Sequence, residues 1–186
     1  MGQDQSAETL LNSSSSDIHL ILPSVCVMEA ISAFDWKRIE RNRLKDELDR
    51  QLKQLQRSAN VQSAQKLAGE LTRADLTNAQ LLSELFQRLD SYLSRIAQRA
   101  ELIPLSGEII QQELKLISET ELDRDDALIL ASVVAHSKDV TAEKKAFLTA
   151  NVRDFQKQPV RAILTKANLK LFNSTERVIE WALAVT

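Results

Sequence analysis

Three acidic residues stand in stretches of sequence that are otherwise apolar. Glu29 lies within PSVCVMEAISAF, Asp126 directly precedes ALILASVVA, and Asp154 follows AFLTANVR. A buried carboxylate is usually neutralised, paired or bound to a metal, because leaving it unpaired costs several kcal/mol. The chain has one Cys and two His, so oxygen ligands dominate and favour Mg²⁺ or Mn²⁺ over zinc. The three acids therefore predict a divalent metal site.

Each acid also has a purely structural interpretation, which the residues alone leave open. Asp125 and Asp126 suit the first turn of a helix, where the helix dipole favours negative charge. Asp154 is placed to cap a following helix. Glu29 could form an ion pair with an arginine of the helical hairpin described below.

The elements that would position these acids alternate between strand and helix. The polar opening as far as Ser16 predicts a loop. Short apolar runs predict strands at 18–23, 101–106 and 168–174 and a strand running into a loop at 145–155, and helical patterns lie at 24 onward, 107–118, 123–139, 158–167 and 174–186. This alternation indicates an α/β fold, with a small parallel sheet flanked by helices. The carboxyl ends of the strands in such sheets face the ligand crevice, and the three acids fall near those ends.

A long helical hairpin is predicted at residues 36–98, inserted into a single domain of residues 1–186. Two stripes of apolar residues at helical spacing are separated by the turn-like RSANVQSAQ, and we expect them to bury each other. A homodimer through this hairpin is an alternative. Its basic stretch contains Lys37, Arg38, Arg41 and Arg43, which either track an RNA backbone or form an ordinary solvated helix face.

Composition excludes several classes of protein. The three glycines, Gly2, Gly69 and Gly107, cannot form a glycine-rich phosphate loop. A single cysteine excludes an internal disulfide, and no secretory signal or membrane-spanning stretch is evident, so we expect a cytoplasmic protein. The net charge of −2 argues against charge-driven nucleic-acid binding by the whole surface.

Four of these segments together resemble the PIN-domain family of metal-dependent nucleases, in matching order and approximate spacing. They are LILPSVCVMEA, ELIPLSGEII, DRDDALILASVVAH and AFLTANVRDF, the last similar to a T-x-N-x-x-D-F signature. The resemblance implies a three-layer α/β/α fold and an endoribonuclease that hydrolyses RNA phosphodiester bonds with Mg²⁺ or Mn²⁺. Because the family includes toxins of bacterial toxin–antitoxin pairs, it also implies a possible toxin role with an antitoxin protein as partner.

Carried over by position, the resemblance assigns Glu29, Asp126 and Asp154 as metal-binding and catalytic acids. Asp125, Thr149 and Asn151 would line the same pocket, with Thr149 orienting a carboxylate or a water. The family's first acid, at the end of its first strand, corresponds only to Asp4.

Only three residues precede Asp4, which leaves little room for the strand that should carry it. We therefore expect either further chain before Met1 or an incomplete site. The alternative function is a catalytically impaired PIN-like module that binds RNA or a protein without cutting.

Overall fold

The computed structural model describes residues 5–12 and 18–184. Two of the sequence predictions, the metal ligand Asp4 and the serine loop at 13–16, lie outside these residues. The described elements are mostly helical, with short parallel strands between the helices. In chain order they are α1 (Gln5–Asn12), β1 (Leu20–Pro23), α2 (Ser24–Gln56), α3 (Gln62–Arg99), β2 (Ala100–Ile103), α4 (Gly107–Thr120), α5 (Arg124–Ser137), β3 (Ala146–Leu148), α6 (Val152–Phe155), α7 (Gln158–Lys166), β4 (Lys170–Phe172) and α8 (Thr175–Leu183).

The polar opening contains a helix, α1, where the sequence predicted a loop. Its apolar positions fall on one side of a short helix that contacts α8. Arg95 links α1 to the end of α3, since its Nη1 lies 3.3 Å from Glu8 Oε1 and 3.2 Å from Asn12 Oδ1. The prediction was wrong because these stabilising partners are about 80 or more residues away along the chain.

The chain divides into two compact units, Met28–Ser94 and the remainder. Within the first of these, α2 and α3 run antiparallel: the Phe34 and Phe86 ring centroids lie 5.8 Å apart, and Asn78 Nδ2 donates to the Arg41 carbonyl at 3.1 Å. Lys45 Nζ lies 3.9 Å from Asp75. The assignment of one domain with an inserted hairpin at 36–98 stays a prediction. None of the described helices is both long and apolar enough to span a bilayer.

The other unit holds the strands, which pair in the parallel direction that the alternating pattern predicted. β1 pairs with β2, with Leu20 opposite Ala100, and β3 pairs with β4, with Phe147 opposite Leu171. The described strands form two separate pairs rather than one sheet. Strands of three or four residues offer few ladder hydrogen bonds, so packing of helices against them must supply most of their stability. The three-layer arrangement stays a prediction.

The core of this unit is organised around α5. Ala127, Leu130 and Ala131 have no exposed surface, and they recur at the i, i+3, i+4 spacing of one helix face. Against this face pack α4 and residues from the two strand pairs, among them Ile103 and Phe147. The surrounding elements of the unit therefore fix the position of α5.

Truncation of Leu130 tests this arrangement. Leu130→Ala should lower the free energy of unfolding by about 2–5 kcal/mol, because the packed core cannot fully close the cavity. Leu114→Ala on α4 is the matched control, since Leu114 is 55% exposed, and it should change stability by less than about 0.5 kcal/mol. Urea denaturation followed by circular dichroism measures both; equal effects would contradict the packing described.

Candidate functional site

Asp126 is carried by the first turn of α5, at the end of the helix face that forms the core. It lies one helical turn before Leu130 on the buried face, which explains why it is only 9% exposed. The N-cap residue Asp123 accepts a hydrogen bond from the Asp126 amide at 2.9 Å. This cap fixes the backbone at Asp126, and the helix dipole favours its negative charge.

The second part of the site is the segment that follows β3. The Thr149 amide donates to the Phe172 carbonyl at 3.0 Å, so pairing with β4 extends one residue beyond the strand. The Thr149 hydroxyl then accepts from the Asn151 amide, also at 3.0 Å. On the other side, the buried Phe155 packs on Phe147 with ring centroids 5.0 Å apart. Asn151 and Asp154 thus lie on a short segment anchored at both ends.

The Asn151 side chain joins the two parts of the site. Its Nδ2 donates to Asp126 Oδ2 at 2.6 Å. The Asn151 side chain also acts on Asp154, since it helps to lower the pKa of that carboxyl. The carboxamide therefore holds two of the predicted acids in one cluster, which we call the acid cluster: Asp126, Asn151 and Asp154.

A cation borders the acid cluster. Lys157 Nζ lies 2.9 Å from Asp154 Oδ1, and it also approaches the Glu121 carbonyl at 3.4 Å. The hydrogen bond from Lys157 is the largest cause that holds the pKa of Asp154 below its ordinary value, with Asn151 and the nearby Arg153 acting in the same direction and partial burial opposing them. Asp154 is consequently ionised over the whole neutral pH range.

The structure places the other predicted site residues differently. Asp125, which was predicted to line the pocket, is exposed, although it lies in the same helical turn as Asp126. Glu29 is half-buried in α2 and belongs to the unit Met28–Ser94. Among residues 5–12 and 18–184, no three His, Cys, Asp or Glu side chains are grouped so that they could hold a metal ion. The metal and catalytic roles assigned to Asp4, Glu29, Asp126 and Asp154 stay predictions.

The basic stretch of α2 shows features of an ordinary helix surface. Lys37 Nζ lies 3.0 Å from Glu40, and Arg38 Nη2 lies 3.0 Å from Asp35, both at i, i+3 spacing. The Lys37 hydrogen bond also lowers the pKa of Glu40. Such exposed pairs each contribute little to stability. An RNA contact by Lys37, Arg38, Arg41 and Arg43 stays a prediction.

Two residues of the site were missed by the sequence reasoning. Asp123 caps the helix that carries Asp126, and Lys157 pairs with Asp154. Both stand three residues from an acid that was singled out. The spacing of an N-cap aspartate, or of an i, i+3 acid–base pair, was a usable signal for each.

The donor atoms of the acid cluster suit a hard divalent cation. Two carboxylates and one carboxamide lie together, and they offer only oxygen as metal ligands. Mg²⁺ is commonly bound by one or two carboxylates while it keeps several waters. Asp126 and Asp154 are therefore the described residues that would hold such an ion, with Asn151 beside them.

Comparison with protein families identifies the family of the chain. The family model described as PIN domain matches residues 2–155, a span that includes the whole acid cluster. Comparison with curated proteins and comparison with solved structures each gave no match.

Replacement of Lys157 tests the electrostatics of the cluster. In Lys157→Met the pKa of Asp154 should rise towards its ordinary value of about 3.9, because the largest stabiliser of the carboxylate is lost. Carboxyl ¹³C NMR titration measures the pKa, with Asp154→Asn used to assign the signal. An unchanged midpoint would contradict the ion pair.

The same pair has a defined pH dependence in stability. A lowered pKa stabilises the folded state above the pKa of the unfolded chain, and this contribution disappears as pH falls through the folded pKa. The difference in free energy of unfolding between wild type and Lys157→Met should reach its full size by about pH 6 and should disappear in strong acid.

Proposed function

Because the chain belongs to the PIN-domain family, whose members are generally nucleases, we propose that it is a metal-dependent endoribonuclease that hydrolyses RNA phosphodiester bonds. The observation that carries the proposal is the Asn151 amide, which holds the carboxylates of Asp126 and Asp154 in one cluster. Like charges brought together at the end of a strand and the start of a helix suit a site that binds a cation.

Asp126 and Asp154 are the proposed ligands of Mg²⁺ or Mn²⁺. When bound, such an ion supplies an activated water and stabilises charge on the phosphate and the leaving oxygen. Asp126 is oriented by the Asp123 cap, and Asn151 fixes the carboxylates relative to each other. Thr149 acts indirectly in this scheme: its hydroxyl holds the backbone of Asn151 rather than a carboxylate.

Lys157 has a proposed role that follows from charge. An RNA strand is a polyanion and is repelled by two carboxylates. An ammonium group 2.9 Å from Asp154 reduces that repulsion at the edge of the cluster. The toxin role, the antitoxin partner and a homodimer through the hairpin stay predictions.

A second candidate function, an RNA- or protein-binding module without cleavage, is favoured by one observation. The described residues form no group of three potential metal-ligating side chains. A module of this kind would keep the family's architecture and lose its response to divalent ions. The two functions therefore differ in a property that is measured without any substrate.

Substitution of Asp126 tests the nuclease proposal. Asp126→Asn should reduce Mn²⁺-dependent RNA cleavage by at least about 100-fold. The reason is that removal of a metal ligand lowers activity at least as much as removal of a residue that only orients a ligand. Asp125→Asn is the matched control, since it changes the same charge at an exposed neighbouring position, and it should retain activity. Equal activity of Asp126→Asn and wild type would refute the assigned role.

Thermal unfolding with Mn²⁺ distinguishes the two functions. At about 100 times its dissociation constant, Mn²⁺ should stabilise the wild type by about 2.7 kcal/mol, whereas Asp126→Asn should lose this effect and Asp125→Asn should keep it. Glu29→Gln in the same assay tests whether Glu29 is a ligand. Failure of Mn²⁺ to raise the wild-type melting temperature would favour the binding module.

A further inference from the structure

A cleft of about 650 Å³ lies on the side of the unit formed by α7, β4 and α8. Its volume falls within the range of about 300–1,000 Å³ that is typical of ligand pockets, enough for about one or two nucleotides. Buried Leu164 and Leu169 form part of its lining, together with amide and hydroxyl side chains such as Asn168 and Thr165. An apolar surface with polar groups around it suits a ligand that has both a ring and a polar chain.

The charges of the cleft are mainly positive. Lys145, Arg161 and Lys170 line it, against one acidic residue, Glu143. In the part of the chain that the structure describes, none of the three cations forms an ion pair with a carboxylate. Unneutralised cations beside a cavity indicate an anionic ligand, and an arginine fork matches phosphate geometry especially well.

The cations are positioned by neutral groups. Lys145 Nζ donates to the Ser137 carbonyl at 2.7 Å, and Lys170 Nζ lies 5.2 Å and 5.1 Å from the ring centroids of Phe172 and Trp181. Trp181 itself lines the cleft. Neither a carbonyl nor an aromatic ring cancels a full positive charge, so both cations retain their attraction for phosphate.

The cleft adjoins the acid cluster through a shared segment. Thr149, Val152 and Gln156 line the cleft, whereas Asn151 and Asp154 of the same segment belong to the cluster. The segment around the short helix α6 therefore directs some side chains into the cleft and others into the acid cluster. A strand whose scissile phosphate lay at the cluster would have its neighbouring nucleotides at the cleft.

We propose that this cleft binds the phosphate backbone of a single-stranded nucleic acid next to the acid cluster, with Arg161 and Lys170 as the principal contacts. The inference rests on the proposed nuclease function for its choice of ligand. The cleft is too small for a duplex and has cations at its edges, as a binding site for one strand requires.

Fluorescence anisotropy with a short labelled single-stranded RNA tests the proposal, with EDTA present so that no cleavage occurs. The slope of log K against log salt should fall in magnitude by about 1.4 in Arg161→Gln/Lys170→Gln, since each phosphate contact of a single strand contributes about 0.7. Arg161→Lys/Lys170→Arg keeps both charges and should therefore keep the salt slope of the wild type.

The matched control is Lys115→Gln/Lys138→Gln, which removes two exposed charges outside the cleft lining. It should leave the slope unchanged. An RNA duplex should bind no better to the wild type than to the Arg161→Gln/Lys170→Gln variant.

The proposal is overturned if wild type does not bind the single strand, or if the cleft and control variants behave alike. Failure of the nuclease function gives a different pattern. In that case Mn²⁺-dependent cleavage is absent from the wild type, while RNA binding in EDTA still depends on Arg161 and Lys170.

Discussion

The candidate site depends on one side-chain amide, that of Asn151, which donates to Asp126 and helps to lower the pKa of Asp154. Asn151 lies after β3, Asp126 opens α5, and Asp154 lies within α6, so three elements have to meet for this contact to form. Each is held by an independent contact: the Asp123 cap, the Thr149 hydroxyl and the packing of Phe155 on Phe147. The amide joins groups that are already positioned, and it therefore loses little conformational entropy on forming its hydrogen bonds.

A buried carboxylate is costly, and the structure reduces that cost with local groups. Asp126 receives the Asn151 amide and lies in the favourable field at the start of α5. Asp154 receives Asn151 and Lys157, and its lowered pKa reflects the sum of their effects. Asp154 keeps its negative charge at neutral pH because hydrogen-bond donors surround it. Ionisable groups with perturbed pKa values and specific charge partners are typical of functional sites.

The short helix α6 explains how the acid cluster and the basic cleft can lie side by side. A single turn is enough to direct Asp154 towards Lys157 and Asn151 while Val152 and Gln156 face the cleft. The carboxylates of the acid cluster, with Lys157 beside them, thus lie on one side of the segment, and the basic side chains of the cleft lie on the other. Because none of the three cleft cations forms an ion pair with a described carboxylate, their charge stays available to attract a phosphate backbone.

The sequence by itself determined the local features of the site and its family. The T-x-N-x-x-D-F segment and the Asp before an apolar helix led to the PIN-domain family, and periodicity led to the parallel strands and to nearly every helix, because these signals lie within a few neighbouring residues. Only the tertiary structure decided that Asp126 rather than Asp125 is buried and that Asn151 bridges two acids. It also decided that Lys145, Arg161 and Lys170 share a cleft, and that the opening residues form a helix. The physical reason is the same in each case: these outcomes depend on contacts between distant segments, whose energies appear only when packing brings the segments together.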